Sequence, residues 1–333
     1  MRKKIMVLVL ILVMVILSCA SCGGSGTGTP AQSSAEQSEN SLSGKKIGLA
    51  LMSTSDAVVA QMVTKVQTSC EALGIKVLVS DANNDASAQI DAVENFIQSK
   101  CDVIMIQAID AEAMSTSAKT AMDAGIKVIA YGIGIDNYDV WYKNDNTITG
   151  TAIGEMAADW INQNMDGNAK VAIFEFPQVD VLIERVDAIK KVIQEQCPNA
   201  EIVASATAMD SDSGYSATET FLAANPDLNC IVSFSDGPAC GAYEAVKAAG
   251  KDNDNFAVFG SDLSEVAVNY IAEGTCYRGT TDADNTVAGD RVAEIAAKLL
   301  NGDNVDSIVV MGCDKVVSDN VQEYVDYYDS IKK

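Results

Sequence analysis

Short apolar segments alternate along this chain with longer segments in which apolar residues recur every three or four positions. The short segments predict β-strands, at 47–52, 75–79, 103–107, 127–131, 170–176, 202–204, 230–234 and 256–260. The longer segments predict helices, at 57–73, 86–98, 111–124, 152–164, 181–194, 215–224 and 239–249. Strands that are apolar throughout are buried on both faces, so the alternation predicts parallel sheets covered by helices, an α/β fold.

Several predicted helices carry residues that are typical of helix ends. Gly74 and Gly250 each follow a helical segment, where glycine favours the left-handed conformation that ends a helix. Asp85 ends the run Asp-Ala-Asn-Asn-Asp and is placed to cap the helix at 86–98. These residues support the predicted boundaries.

The first 21 residues differ in character from the rest of the chain. Arg2, Lys3 and Lys4 precede an uninterrupted apolar run at 5–17, and small residues follow it. A cationic start, a short apolar run and small residues are typical of a secretion signal, which predicts a signal peptide at 1–21. A transmembrane helix is the alternative, although the run is short for a bilayer span.

Residues 22–44 are mostly Gly, Ser, Thr, Gln, Glu and Pro. They offer almost no apolar side chain to bury, and we therefore expect a flexible tether. Regular structure is predicted to begin at Lys45, and the roughly 290 residues from there onward are enough for two lobes of ordinary size.

The chain is acidic and contains no histidine. Its formal net charge is −23, and loss of residues 1–21 makes it about −26 because three cations and no acids are removed. Such a charge repels nucleic acid, so no nucleic-acid partner is expected. The lack of histidine excludes Ser-His-Asp and Cys-His nucleophiles and imidazole zinc sites.

No motif for catalysis or cofactor binding is present. The sequence has no P-loop, no GxSxG and no GxGxxG after a predicted strand. We therefore predict no enzyme activity, no catalytic residue, no cofactor and no metal. Paired carboxylates still allow a glycosidase, which stays the enzymatic alternative.

Nine cysteines are present, and two of them, Cys19 and Cys22, lie at the end of the signal segment. The other seven show no metal-site spacing, and an odd number does not fit a complete disulfide framework. Several lie within or beside apolar segments, which favours buried free thiols over disulfides.

The residues around Cys22 resemble the lipobox of bacterial lipoproteins, in which the first mature residue is a lipid-modified cysteine. Ala20 and Ser21 precede Cys22, and Gly-Gly-Ser follows it. The resemblance implies lipidation at Cys22, with Cys19 as the alternative. It also implies an extracytoplasmic protein that is held to the cell membrane by its lipid anchor.

Eight short stretches of different sequence, spread along the chain, carry a resemblance to a known family. They are KIGLA at 46–50, DANNDASAQ at 81–89, DVIMIQ at 102–107, AGIKVI at 124–129, NDN at 144–146, RVDAI at 185–189, VFGSD at 258–262 and VVSDNV at 316–321. Together they resemble the type I periplasmic sugar-binding proteins, of the ribose-binding kind, that serve ABC importers. The resemblance covers almost everything from Lys45 onward.

That family has two doubly wound, parallel-sheet lobes joined by a three-segment hinge, and it holds its ligand in the cleft between them. The resemblance places lobe one at 45–145 plus 283–311 and lobe two at 146–282 plus 312–333. It implies a solute-binding protein that passes a small polar ligand, such as a monosaccharide or polyol, to an ABC permease. We expect a monomer, because closure of two lobes needs no partner subunit. A ligand-presenting receptor subunit for a membrane sensor or chemoreceptor, and a binding protein for a non-sugar solute such as a nucleoside, are the alternatives.

The resemblance also implies residues of the cleft. Arg185 falls at the family's ligand-binding arginine, with an exposed salt-bridging arginine as the alternative. Asp262 matches the family's cleft aspartate, and Asp236 lies where the family often has Asn-Asp. Each of these two acids is also placed to cap a helix. Such side chains suit sugar hydroxyls because they offer donors and acceptors at fixed positions.

Four weaker candidates are placed at the cleft edge by loop position: Ser55, Asp56, Asp145 and Asp282. The family's two aromatic rings in the first strand–helix loop are replaced here by Val58 and Val59, so a stacking ring has to come from elsewhere. The candidates for that ring are Tyr131, Trp141, Tyr142 and Phe176.

Overall fold

The structure, a computed structural model, describes residues 42–55 and 57–332, which form twelve strands and ten helices. In chain order they are β1 (Lys46–Leu51), α1 (Ala57–Ala72), β2 (Lys76–Asp81), α2 (Ala86–Gln98), β3 (Val103–Ile106), α3 (Ala111–Asp123), β4 (Lys127–Gly132), β5 (Val140–Lys143), α4 (Asn146–Asn164), β6 (Lys170–Glu175), α5 (Asp180–Gln196), β7 (Glu201–Thr207), α6 (Ser211–Ala224), β8 (Cys230–Val232), α7 (Asp236–Ala248), β9 (Ala257–Phe259), α8 (Glu265–Ala272), β10 (Tyr277–Asp282), α9 (Ala288–Asn301), β11 (Ile308–Val310), β12 (Asp314–Val317) and α10 (Val321–Ile331).

The strands form two six-stranded sheets, one in each of two lobes. The strand order is β11-β5-β4-β3-β1-β2 in lobe one and β12-β10-β9-β8-β6-β7 in lobe two. Every strand pair is parallel except β10 with β12. The predicted fold class, α/β with two doubly wound parallel lobes, is therefore confirmed.

The chain passes between the two sheets three times. The three crossings lie between β5 and α4, between β10 and α9, and between β11 and β12. Asp284 ties the second crossing to lobe one, because its Oδ2 accepts a hydrogen bond of 2.5 Å from the Tyr142 hydroxyl. A Cβ atom at Gly312 in the third crossing would lie 2.7 Å from Asp284 Oδ1, so the second and third crossings run in close contact.

Lobe one has two separate apolar layers, one on each face of its sheet. Alternate residues of a strand point to opposite faces. Ile47 and Leu49 therefore face one layer with α1 and α9, whereas Ala50 faces the other with α2 and α3. Gly48 also faces α2, and any side chain there would meet the ring of Phe96 at 2.6 Å. The close approach of α2 to the sheet thus requires glycine at this position.

Lobe two has one continuous apolar core that wraps both faces of its sheet. Cys197, Cys230 and Cys276 lie in that core, and Cys70 and Cys101 are buried in lobe one. All seven cysteines of the described chain are free, in agreement with the sequence analysis. Burial raises the pKa of the Cys70 and Cys101 thiols to about 11, so both stay protonated near neutral pH.

The residues predicted from the sequence to begin or end helices do so in the structure. Asp85 caps α2 by accepting hydrogen bonds from the backbone N–H groups of Ser87 and Ala88. Gly74 and Gly250 adopt φ angles of 77° and 69°, in the left-handed region.

The segment at 5–17, Cys19 and Cys22 lie outside the described residues, as does most of the tether predicted at 22–44. Within the described ranges, no helix combines the length and the apolar character that crossing a membrane requires.

Candidate ligand-binding site

A cavity of about 280 Å³ lies between the two lobes. Its lobe-one wall is formed by Val58, Val59 and Met62 from α1 and by Tyr131 at the end of β4. Asp262, from the turn after β9, faces them from lobe two. The carboxyl ends of parallel strands are where open α/β sheets bind their ligands. We therefore take this cleft as the candidate site.

Three amide side chains add to the lining of the cleft, namely Gln107, Asn144 and Asn285. Asp262 is the single formally charged residue among the described residues that line it. Such a lining offers hydrogen-bond donors and acceptors with little charge, which suits a neutral polar ligand rather than an anion.

Arg185 lies directly behind Asp262 in lobe two. Its Nη1 lies 3.2 Å from Asp262 Oδ1 and donates a second hydrogen bond of 2.8 Å to the backbone oxygen of Phe234. Its Nε donates to Asn146 Oδ1 at 2.9 Å. The residue is 6% exposed, so the exposed salt-bridging arginine that was the alternative is not what the structure shows.

Close packing of α4 against α5 sets the position of Arg185. A Cβ atom at Gly150 would lie 2.1 Å from the backbone oxygen of Arg185, so no larger residue fits there. Asn146, one turn earlier on α4, is thereby within reach of the guanidinium. Arg185 is thus held by contacts from α4, from the chain after β8 and from the turn after β9.

Asp262 occupies the left-handed region, with a φ angle of 95°. Its side chain is 55% exposed and faces the cleft, where it pairs with Arg185. Asp262 does not cap α8, which was its alternative role. Ser264 caps this helix, because its hydroxyl accepts from the backbone N–H of Ala267.

Asp236 begins α7 and is 2% exposed, inside lobe two. Its Oδ1 accepts from the hydroxyls of Tyr277 (2.7 Å) and Thr280 (2.8 Å), and its Oδ2 accepts from the backbone N–H of Ser264 (2.7 Å). Burial, with a smaller contribution from the charge of Asp262, raises the pKa of Asp236 to about 7. The structure therefore does not bring Asp236 to the cleft surface, and its cap position belongs to Ser235.

Asp282 and Asp145 use their carboxylates to bind nearby residues of the crossings. Asp282 is 2% exposed and accepts from Asn285 N and Thr286 Oγ1, both at 2.6 Å. Burial raises the pKa of Asp282. Asp145 caps α4 by accepting from the backbone N–H of Thr147. Neither carboxylate is part of the cleft lining described above.

Among the described residues at and just after the first strand–helix loop, Val58 and Val59 reach the cavity, whereas Ser53, Thr54 and Ser55 are not part of its lining. Ser55 is exposed, and its hydroxyl lies 2.9 Å from that of Ser53. Asp56 lies outside the described residues. Val58 and Val59 line the cleft at the place where the resemblance had implied aromatic rings.

Among the four aromatic candidates, Tyr131 lines the cleft, and burial raises the pKa of its hydroxyl to about 12. Trp141 donates from Nε1 to the backbone oxygen of Gly132 at 2.9 Å, beneath that wall. Tyr142 is fully buried. Phe176 packs on Phe234 at a ring separation of 6.3 Å.

Sequence reasoning did not single out the amides of the cleft as site residues. Gln107 is the last residue of the strand predicted at 103–107, and this position at the carboxyl end was the available signal. Gln89, which is fully buried, fixes the loop by donating from Nε2 to Gln107 O at 2.7 Å and accepting from Ile109 N at 2.9 Å. Asn285 was not identified from the sequence, because no strand was predicted before it and no strand end therefore marked its position.

A larger cavity of about 560 Å³ lies in lobe two beside α4. Its wall includes Tyr277 and Arg278, which begin β10, and Lys315 of β12. It therefore lies toward the amino end of β10, away from the carboxyl ends at which such folds bind ligands. Although this cavity is larger than the cleft between the lobes, it lies away from the carboxyl ends of the strands, and the cleft stays the candidate site.

Two parallel-sheet lobes around a polar cleft define a bilobal binding protein. The sequence matches the family described as periplasmic binding protein domain over residues 47–304. The chain belongs to this family, and the resemblance stated from the sequence is confirmed.

Curated relatives include a D-xylose-binding periplasmic protein of Escherichia coli (strain K12). It is 30% identical over 245 residues, which is 70% of this chain and 71% of that protein. The ribose import binding protein of Bacillus subtilis (strain 168) is 27% identical over 267 residues, or 79% of this chain and 84% of that protein.

A solved structure of an ABC transporter periplasmic solute binding protein from Actinobacillus succinogenes, with bound D-allose, has a TM-score of 0.71. Its sequence is 26% identical to this chain, and the match covers 84% of this chain and 100% of the other. These relatives are binding proteins by name, and the likeness extends over both lobes.

Proposed function

We propose that this protein captures a small uncharged polyhydroxyl ligand, a monosaccharide or polyol, in the cleft between its lobes and delivers it to an ABC transporter permease. No catalytic step is part of this function. The relatives named for D-xylose and ribose and the solved structure with bound D-allose support the ligand class, and the name of that solved structure supports the link to ABC transport.

One observation supports the proposal more than any other. The cleft is lined by amides, a tyrosine and aliphatic side chains, and its one described charge, Asp262, is partnered by the buried Arg185. A carboxylate that is oriented by an arginine accepts hydrogen bonds from neighbouring sugar hydroxyls at fixed positions. Apolar side chains opposite it cover the carbon faces of a sugar ring.

A thermal-shift screen tests the ligand class. A ligand that binds only the folded state raises the melting temperature by mass action. We expect D-xylose, D-ribose, D-allose, xylitol or myo-inositol to raise the melting temperature, and amino acids and anionic sugar phosphates to leave it unchanged. A shift with nucleosides or amino acids and none with sugars or polyols would contradict the proposal.

We propose further that the protein is an extracytoplasmic lipoprotein, acylated at Cys22 with Cys19 as the alternative, and that it acts as a monomer. Membership of a periplasmic binding protein family supports export. The cationic start, the apolar run and the small residues before Cys22 support processing and lipidation. Acyl chains at this residue would hold the binding lobes at the membrane surface, beside a permease.

Metabolic labelling with an alkyne fatty acid tests the anchor. We expect wild type and Cys19→Ser to incorporate the label, and Cys22→Ser to lose both the label and its membrane association. Label retained in Cys22→Ser but lost in Cys19→Ser would move the anchor to Cys19. No label in any of the three proteins would contradict lipidation.

A further inference from the structure

The turn that presents Asp262 to the cleft has an unusual backbone. Asp262 and Leu263 both adopt left-handed conformations, with φ angles of 95° and 56°, and neither is glycine. Side chains other than glycine disfavour this region, so two such residues in succession persist only where neighbouring groups hold them. The surroundings of the turn therefore have to supply that restraint.

Four side chains bind the backbone of the turn, and one of them is Asn285, whose Nδ2 donates to Asp262 O at 3.4 Å. Asp236 Oδ2 accepts from the backbone N–H of Ser264 at 2.7 Å. Thr280 Oγ1 accepts from the backbone N–H of Leu263 at 3.3 Å, and the Tyr328 hydroxyl donates to the backbone oxygen of Leu263. The backbone of Leu263 and Ser264 is thus bound to groups from α7, β10 and α10.

Asp236 is the centre of this arrangement. Its own backbone N–H donates to Ser261 O at 2.7 Å, so the residue holds both ends of the turn. Its Oδ1 accepts from Thr280, the same hydroxyl that holds Leu263. A Cβ atom at Gly260 would lie 2.3 Å from Asp236 Oδ1, which shows how closely the chain before the turn approaches this carboxylate.

The ionised carboxylate, which is the form of Asp236 above its pKa of about 7, fits this place better than an amide. The Tyr277 hydroxyl, the Thr280 hydroxyl and the Ser264 N–H all donate to Asp236, and a carboxylate accepts at both oxygens. An asparagine would keep one acceptor oxygen and turn an NH₂ group, a donor, toward one of these donors.

We propose that Asp236 is a positioning residue of the cleft: through Ser264 and Thr280 it holds the 261–264 turn in the conformation that sets Asp262 against Arg185. Its contacts lie within lobe two, and it acts on the cleft through the turn. The positioning role does not depend on which ligand is bound, and only its consequence for affinity rests on the proposed function.

Amide hydrogen exchange, measured by NMR on the full chain, tests the role. In Thr280→Val the Leu263 amide loses its acceptor, and in Asp236→Asn an NH₂ group replaces one of the two oxygens that accept from Ser264, Thr280 and Tyr277. Above pH 7, where Asp236 is ionised in wild type, we therefore expect the amides of the turn to exchange about tenfold faster in both variants. Thr280→Ser keeps the hydroxyl and should restore the slow exchange. Tyr243→Phe is the matched control, because it removes a buried hydroxyl of the same lobe that donates to Asp252, away from the turn.

Titration of D-xylose, D-ribose and D-allose against the same proteins measures the consequence for the cleft. Affinity for the sugar that wild type binds should fall about tenfold in Asp236→Asn and Thr280→Val and stay near wild type in Thr280→Ser and Tyr243→Phe.

Unchanged exchange at the turn in both Asp236→Asn and Thr280→Val would overturn the positioning role, as would an equal change in Tyr243→Phe. If Asp236→Asn does not fold, the comparison of Thr280→Val with Thr280→Ser still decides. If wild type binds none of the sugars, the proposed ligand class fails, whereas the exchange rates still support or overturn the positioning role.

Discussion

The two lobes contribute unlike walls to one cleft. Lobe one presents a mostly apolar wall of Val58, Val59, Met62 and Tyr131 with one amide, Gln107, whereas lobe two presents Asp262 with Arg185 behind it. An apolar wall excludes water and covers the carbon faces of a ligand, and a charged pair orients hydroxyl groups. We infer that lobe one covers the apolar faces of the ligand and that lobe two orients its hydroxyl groups.

The interiors of the lobes differ in the same way. Lobe two buries several polar side chains where its strands approach the cleft, namely Ser233, Asp236, Ser261, Thr280 and Thr281. In the described part of lobe one, the buried polar side chains are Gln89 and Ser115. Polar groups that are hydrogen-bonded inside a protein fix their neighbours in place. The lobe whose wall orients the ligand hydroxyls is therefore also the lobe with more buried polar side chains behind that wall.

The largest effect on this comparison is expected from Arg185→Met. The substitution leaves Asp262 without its cation and removes donors from Phe234 O and Asn146 Oδ1. Hydrogen bonds from charged groups contribute about 1.5–3 kcal/mol each, so we expect sugar affinity to fall on the order of 100-fold in isothermal titration.

The matched control for Arg185→Met is Lys190→Met on the same helix. Lys190 pairs with Glu175 at 3.0 Å and its side chain is 30% exposed. Partly exposed pairs contribute little, and we expect affinity within about threefold of wild type. Equal losses in the two variants would show that the charged wall has no special role.

The second largest effect is expected in lobe one, from Tyr131→Ala. If this wall acts through its apolar surface, Tyr131→Phe should keep most of the affinity and Tyr131→Ala should lose at least about tenfold, since burying an aromatic side chain is worth about 1.5–3 kcal/mol. Titration of both variants gives the ratio. A loss in Tyr131→Phe as large as in Tyr131→Ala would assign the effect to the hydroxyl instead.

A smaller effect concerns stability and pH in lobe two. Because burial raises the pKa of Asp236 to about 7, the folded state keeps a proton that the unfolded state has lost above pH about 4. Stability should therefore fall as pH rises from about 4 to 7, with a slope from this residue of at most about 1.4 kcal/mol per pH unit.

Urea melts at several pH values measure this slope in wild type and in Asp236→Asn. We expect the variant to lack the component of the slope that wild type shows between pH 5 and 7. The same pH dependence in both proteins would assign the titration to another group, for which Asp282 is the next candidate because burial raises its pKa as well.

The smallest effect is expected at the first crossing, from Lys143→Met. Lys143 pairs with Asp145 at 3.3 Å, and the two side chains are 32% and 25% exposed. Pairs of this kind contribute about 0–1 kcal/mol, so both melting temperature and affinity should stay close to wild type. A large drop in affinity would mean that the crossing, as well as the walls, controls binding.

Much of the fold could be predicted from the pattern of apolar residues. Helix α2 begins and ends where the sequence indicated, since Asp85 caps it and its buried face repeats with helical period. No strand was predicted over β10, because Arg278, Gly279, Thr280 and Thr281 break any apolar run. That strand is buried by contacts with β9 and β12 from distant parts of the chain, which no local pattern reveals.

The sequence predicted which residues lie near the carboxyl ends of the strands, but it did not predict the direction in which each side chain points. Arg185 and Asp262 were placed by resemblance, and the structure pairs them, with Asp262 in the lining of the cleft and Arg185 buried behind it and outside that lining. Asp236 points inward because Tyr277 and Thr280, some forty positions later, offer hydroxyls to it. The start of a helix is visible in a sequence, but the partner of its first side chain is set by tertiary packing.

The central claim is that the cleft binds an uncharged sugar through the charged wall of lobe two. Isothermal titration of D-xylose, D-ribose and D-allose against wild type and Asp262→Asn tests it most directly. We predict that at least one sugar binds wild type with one site per chain and binds Asp262→Asn about tenfold or more weakly. No binding of any of the three sugars, or equal binding to both proteins, would contradict the account.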